Sequence, residues 1–313
     1  MVAVVYEPGV GYVNAPGTSI FGREGWAVSH WTTHGARGRR LPDADGQAIL
    51  AIGDSFTEAA MIPDEDVYPA LLETELRKTC PGQVVVNAGR STWSSADYVA
   101  LAEHFRKVFK PRHVVVQLRD SDLGSDAWFA DRTHFVHSAG SRLAVEAVIP
   151  PERAGVAGWL WTARQHSMLL SYGIVRLGEF RQQPEPPLFF AGSVAPAKVV
   201  VESDYPLEAA LDSLADAYDA NLTVLFVPEF DAAQPTVETP SEARILARCR
   251  ERKIDCVSLR AGYSELARAG RSPFGFANTG YNVGHLNVLG HRLAATLLAK
   301  SIAPRLIRRG ECR

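Results

Sequence analysis

Ala48-Ile49-Leu50-Ala51-Ile52-Gly53-Asp54-Ser55-Phe56-Thr57 is an apolar run that stops abruptly at Gly-Asp-Ser and gives way to an amphipathic segment. A buried strand of a parallel sheet that hands over to a helix has this pattern. Ser55 then stands at the carboxyl end of a strand, where open α/β sheets keep their ligand crevices. Read locally, the same serine is a turn residue that caps the next helix.

The rhythm continues outward from this stretch. Helical spacing predicts a helix over Tyr68 to Lys78, then a strand at Val84–Asn87, a helix from Ser94 to Val108 and a strand at His113 to Leu118. A β-α-β-α-β order with short connections argues for a parallel sheet with right-handed crossovers. Further on come a helix from Leu207 to Ala220, a strand from Leu222 to Pro228 and a helix from Ser241 to Arg252. A strand from Ile254 to Leu259, a Gly- and Asn-rich loop from Gly275 to Asn287 and a closing helix from Val288 to Ile302 follow. The expected fold is an α/β three-layer sandwich around a mostly parallel, flavodoxin-like sheet. Residues 1–47 read as an irregular lead-in wrapping the domain, residues 48–303 as a single domain and residues 304–313 as a frayed tail. Residues 123–200 break the rhythm. Their helical stripe (Trp159, Leu160, Leu169, Leu170, Ile174, Phe180) reads as a helical insertion, either capping the crevice or packing as plain core.

Composition narrows the function classes. The 313 residues are 46% hydrophobic, enough for a substantial core. A formal net charge of -2 and no basic stripe give no case for a nucleic-acid partner. No run approaches the roughly 18 apolar residues of a membrane span. The opening Met1 to Pro8 lacks the basic start and long apolar centre of a signal peptide, which favours the cytoplasm; a removed leader would instead make the protein secreted or periplasmic. Cys80, Cys249, Cys256 and Cys312 lack metal-type spacing and read as reduced thiols, with Cys312 an exposed one. Asp120, Asp122 and Asp126 lack the spacing of a calcium loop and read as solvated acids. No metal and no cofactor is called for, and the oligomeric state is not legible.

Four short blocks carry a family resemblance. Gly53-Asp54-Ser55, Asn87-Ala88-Gly89, the segment Arg119-Asp120-Ser121-Asp122 after a strand, and Gly284-His285-Leu286-Asn287 come in the order found in SGNH (GDSL-type) hydrolases. The chain resembles that family from Gly53 to Asn287. The resemblance implies Ser55 as nucleophile, His285 as base, and the amides of Ser55 and Gly89 as oxyanion donors. It implies a mostly structural role for Asp54. Thr32 to Gly38 also resembles a lead-in found before the nucleophile block of bacterial members, so Arg37 either closes one side of the site or is a solvated turn residue.

Two positions depart from the family pattern. The acid that orients the histidine usually sits three residues before it, and here that residue is Asn282. An asparagine can hold an imidazole tautomer but cannot stabilise imidazolium as a carboxylate does; the equivalent replacement in serine proteases costs about 10⁴ in kcat. Either Asn282 or a backbone carbonyl orients the ring, another acid takes over, or the site is slow or dead. The oxyanion asparagine is replaced by Ser121, with Arg119 and Asp122 beside it. Arg119 either supplies positive charge or pairs with Asp120 or Asp122.

Three functions remain open on these residues. The first is a serine esterase or deacylase cleaving a small O-acyl group from a sugar or natural product. The second is an O-acyltransferase on the same serine and histidine, with residues 125–187 excluding water. The third is a binding protein with a decayed site. Two observations would favour the third: no carboxylate or carbonyl within hydrogen-bond reach of the His285 ring, and a Ser55-to-His285 separation too long for proton transfer.

Overall fold

The computed structural model of the chain describes residues 4–7, 11–21, 24–38, 48–91, 95–123, 135–139, 142–146, 207–218 and 221–312. The lead-in is not irregular. It forms two antiparallel hairpins, β1 (Val4–Glu7) with β2 (Gly11–Asn14), and β3 (Gly17–Phe21) with β4 (Ala27–Trp31). Sequence patterning misses β4 because burial and hydrophobicity do not alternate together there. Ala27, Ser29 and Trp31 point inward, while Val28 is 47% exposed. Bridges from Trp31 to Arg37 and from Arg37 to Asn87 stitch the lead-in to the main sheet.

The sheet is parallel throughout. Its strands are β5 (Ala48–Ile52), β6 (Val84–Asn87), β7 (His113–Arg119), β10 (Leu222–Val227) and β11 (Asp255–Ser258), in the order β11-β10-β7-β5-β6. Between β7 and β10 lies one further hairpin, β8 (Phe135–Ala139) with β9 (Arg142–Glu146). It falls inside the stretch expected to be a helical insertion; the stripe from Trp159 to Phe180 lies outside the described residues. The chain leaves β5 for the edge at β6, then returns to β7 on the other side. Neighbours that lead away in opposite directions make the β5–β7 boundary the topological switch point, where such sheets open a crevice.

Each face of the sheet is covered by helices, so the central strands are apolar on both sides. One face packs Leu50, Ile52, Val114, Val116 and Val224 against α3 (Ser95–Phe109), α4 (Leu207–Tyr218) and α5 (Pro240–Arg252). The other packs Ile49, Ala51, Val115 and Leu225 against α2 (Tyr68–Arg77), α6 (Arg260–Arg268) and α7 (Val288–Arg308). The alternation Ile49/Leu50/Ala51/Ile52 between faces is the period of two of an extended chain. The four-residue α1 (Ser55–Glu58) sits directly on the end of β5.

Several boundaries move. Helix α5 begins at Pro240 rather than Ser241, and Thr239 caps it, its hydroxyl accepting from Glu242 N. Helix α6 was not expected; its buried face carries Arg260 and Gly262, and Arg260 pairs with buried Glu242 at 3.0 Å. Helix α7 runs to Arg308, so the presumed frayed tail buries Leu306. The cysteines are not free thiols. Cys80 is bonded to Cys312 and Cys249 to Cys256, with Cα separations of 4.5 and 6.1 Å that suit disulfides. Partners 232 residues apart cannot be matched from sequence alone.

Candidate active site

The site is built at the switch point. Strand β5 ends at Ile52, and Asp54 caps α1 by accepting from Phe56 N at 2.8 Å. The cap turns the chain sharply and leaves Ser55 half-buried at the sheet rim. From the other end of the chain, the loop before α7 brings in His285. Asn287 fixes that loop. Its Oδ1 accepts from Leu289 N and Gly290 N at 2.9 and 3.2 Å, and its Nδ2 donates to the carbonyls of Ser272 and Gly275. Ser55 Oγ and His285 Nε2 meet at 2.8 Å.

The second ring nitrogen of His285 meets a residue that the sequence reading did not single out. Nδ1 is hydrogen-bonded to the carboxylate of Glu24, and the same carboxylate accepts from His285 N at 3.4 Å. A carboxylate only accepts, so Nδ1 carries the proton and Nε2 presents its lone pair to the Ser55 hydroxyl. Phe56 supports the ring from below, its centroid 5.0 Å from that of His285.

Asn282 is not the orienting group. Its Oδ1 accepts from Ser272 Oγ at 3.0 Å and its Nδ2 donates to Phe230 O at 3.0 Å, so its amide braces the loop instead of facing His285. Gly89 is also displaced from its expected role, because its amide donates to Asn87 Oδ1 at 3.0 Å. An N–H so engaged is not an open donor. The Ser55 amide, by contrast, has no acceptor among the described residues.

The polar groups after β7 separate into an open one and closed ones. Asp122 is buried, accepting from Arg119 N at 2.8 Å and from Tyr98 Oη at 3.4 Å. Burial, reinforced by neighbouring Asp54, pushes its carboxyl well above the usual carboxylate range. Asp54 is raised by burial too, against the pull of the Phe56 amide and Arg119. Asp120 is spent on Thr239 and Glu229 N. Ser121 lies in the 3-10 turn Asp120–Leu123, and its side chain is outside the described residues. The expected alternative of Arg119 pairing with an aspartate does not occur through its guanidinium. That group lies over the Phe56 ring, with Cζ 4.4 Å from the centroid, and has no hydrogen-bond or ion-pair partner among the described residues. Strand β7 runs on to Arg119, beyond its last pairing with β5 at Ile52↔Val116, which brings Arg119 to the rim where Phe56 lies.

Arg37 neither lines the site nor lies in solvent. It is buried, donating to the carbonyls of Glu58, Ala59 and Ile62, to Ser29 Oγ and to Asp64. A cation on the last carbonyls of α1 locks the nucleophile turn to the lead-in. Among the described residues no group of three or more His, Cys, Asp or Glu could hold a metal, and no helix is long and apolar enough to cross a membrane.

Comparison with known proteins places this geometry in context. No family model and no curated protein matches the chain. The chain is similar to solved hydrolases. One is an alpha/beta hydrolase enzyme from the metagenome of Lake Arreo, Spain: identity 16%, TM-score 0.41, covering 83% of this chain and 97% of that one. Another is the lipase/acylhydrolase from Enterococcus faecalis: identity 13%, TM-score 0.43, covering 83% and 96%. A third is a catalytic mutant of an acetylxylan esterase from Geobacillus stearothermophilus: identity 17%, TM-score 0.42, covering 84% and 96%.

Proposed function

We propose that this chain is a serine ester hydrolase. The observation that carries the reading is the 2.8 Å contact between Ser55 Oγ and His285 Nε2, at the switch point of the sheet. Free serine is a poor nucleophile, and a hydrogen-bonded imidazole is the base that activates it. Ser55 Oγ attacks the acyl carbonyl while its proton passes to Nε2. The C–O bond to the alcohol then breaks as Nε2 returns that proton to the leaving oxygen. Water, activated by the same nitrogen, hydrolyses the acyl-Ser55 ester and restores the hydroxyl.

Negative charge develops on the carbonyl oxygen during attack. The Ser55 amide and the Arg119 guanidinium are donors left open for it among the described residues. The substrate class that suits the rim is a small O-acyl ester of a sugar or natural product. Trp26 and Tyr281 are 72% and 62% exposed on the two segments that carry Glu24 and His285. Flat rings with a polar edge, open to solvent, suit the face of a sugar ring. Neither condition that favoured a decayed site holds, since a carboxylate reaches His285 and Ser55 is in hydrogen-bond range.

The test is covalent. A fluorophosphonate probe labels the wild type, and Ser55→Ala abolishes both labelling and hydrolysis of 4-nitrophenyl acetate. Equal labelling of the two proteins removes Ser55 from the role of nucleophile.

A further inference from the structure

The turn of the β3–β4 hairpin reaches His285. We propose that this hairpin is a catalytic element: Glu24, in the turn between β3 and β4, is the positioning acid for His285, in place of a carboxylate within the histidine's own loop. The inference rests on the Ser55–His285 reading and adds to it the source of the third group.

Three independent features of the chain fit that role. The first is the contact itself, which is two-pronged. The Glu24 carboxylate takes both Nδ1 and the backbone N–H of His285, and its side chain is only 13% exposed. A carboxylate held by two donors of one residue fixes the ring's direction as well as its tautomer.

The second is space reserved on both sides. Gly284 has φ +84°, and a Cβ built there overlaps Glu24 Oε1. The glycine before the histidine is therefore the room in which the carboxylate sits. Gly25 has φ +71°, and a Cβ there overlaps the Met61 carbonyl oxygen. Its amide donates to Asn278 Oδ1 at 3.0 Å, which ties the hairpin turn to the histidine loop a second time.

The third is anchorage of the hairpin to the nucleophile's own turn. His30, on β4, pairs with Asp64 through Nδ1 at 2.5 Å. Asp64 also takes Arg37, whose guanidinium holds the carbonyls that end α1. Ser29 Oγ donates to Ala60 O at 3.1 Å. One piece of chain thus holds the Ser55 turn at its base and His285 at its tip, so the acid, base and nucleophile share a single reference frame. Asn282, where an acid would ordinarily be sought, is meanwhile committed to Ser272 and Phe230.

The test uses the full chain with 4-nitrophenyl acetate, and reads the far-downfield imidazole N–H proton by NMR. In Glu24→Gln, kcat is expected to fall by 10²-fold or more, towards the roughly 10⁴ known for loss of a triad carboxylate, with KM within about three-fold. The downfield proton resonance should be lost. Glu24→Asp should retain the resonance and recover part of kcat. Adding Asn282→Asp to Glu24→Gln should restore neither. The inference is overturned if Glu24→Gln keeps kcat within two-fold and keeps the resonance, or if Asn282→Asp rescues it. The NMR readout does not depend on catalysis, so it remains decisive even if Ser55 proves not to be the nucleophile.

Discussion

His285 and His291 flank the start of α7, yet the two imidazoles meet different surroundings. His285 is part-exposed, with a carboxylate on one nitrogen and a hydroxyl on the other. His291 is fully buried and stacked on Tyr68; its Nδ1 accepts from Tyr68 N at 3.0 Å, and its Nε2 has no partner among the described residues. Burial lowers its pKa to about 3, so it is neutral at every ordinary pH. The same division runs through the acids, with Glu24 at the rim and Asp54 and Asp122 sealed beneath it. Groups that must exchange protons or meet charge are kept at the rim. Groups that only hold the frame are dry.

Arg119 is where this division is most exposed to disproof. It stands on the rim side, its guanidinium above Phe56 and without a hydrogen-bond or ion-pair partner among the described residues. If it meets the oxyanion, Arg119→Met should lower kcat by about 10²–10³, the usual cost of one oxyanion donor. The thermal midpoint should stay within about 2 °C, since the lost contact is a surface cation–π pair. A lowered midpoint with unchanged kcat would move Arg119 to the frame.

Gly284 sharpens the same line by geometry alone. Gly284→Ala introduces a Cβ where the Glu24 carboxylate lies, at a φ that alanine adopts only at a cost of about 1–2 kcal/mol. The carboxylate is the flexible end of a side chain, so it swings away and the fold survives. We expect kcat to drop about 10²-fold, the cost of a displacement of about an ångström at a catalytic group. In a Glu24→Gln background the same substitution should cost little more, because the two act through one contact. Additive losses, measured as a double-mutant cycle on kcat, would separate Gly284 from Glu24.

How much of this was legible follows the same boundary. The sheet was readable because β5, β7 and β10 are buried on both faces and therefore continuously apolar. Ser55 and His285 stood out because each sits in a short block that resembles a family pattern, Gly-Asp-Ser at the cap of α1 and Gly-His-Leu-Asn at the cap of α7. Glu24 was not. A lone glutamate between a short strand and a glycine carries no periodic signal, and its partner lies 261 positions away. The one hint was negative, a histidine loop with Asn282 where an acid belonged. Gly284 was visible as well, but only coordinates reveal that its missing side chain makes room for another residue's carboxylate. Gly89 misled in the opposite way, since its block survives while Asn87 folds back onto its amide.

The smallest effect concerns the dry side. A base whose folded-state pKa lies near 3 against about 6.5 unfolded is protonated only in the unfolded chain between those values. The unfolded state then binds more protons, so the His291 contribution is whole above about pH 6.5 and is lost as pH falls towards 3. The limiting slope is about 1.4 kcal/mol per pH unit. His113, lowered to about 3 by burial, acts in the same direction, whereas Asp54 and Asp122, raised by burial, act in the opposite one. The difference between wild type and His291→Phe cancels these shared terms. The substitution leaves Tyr68 N without its acceptor, a pH-independent cost of about 1–3 kcal/mol. Urea unfolding at pH 7 and pH 5 should therefore show the stability gap between the two proteins narrowing in acid. A gap that holds constant would mean His291 titrates normally in the folded protein, and the contrast with His285 would lose its dry member.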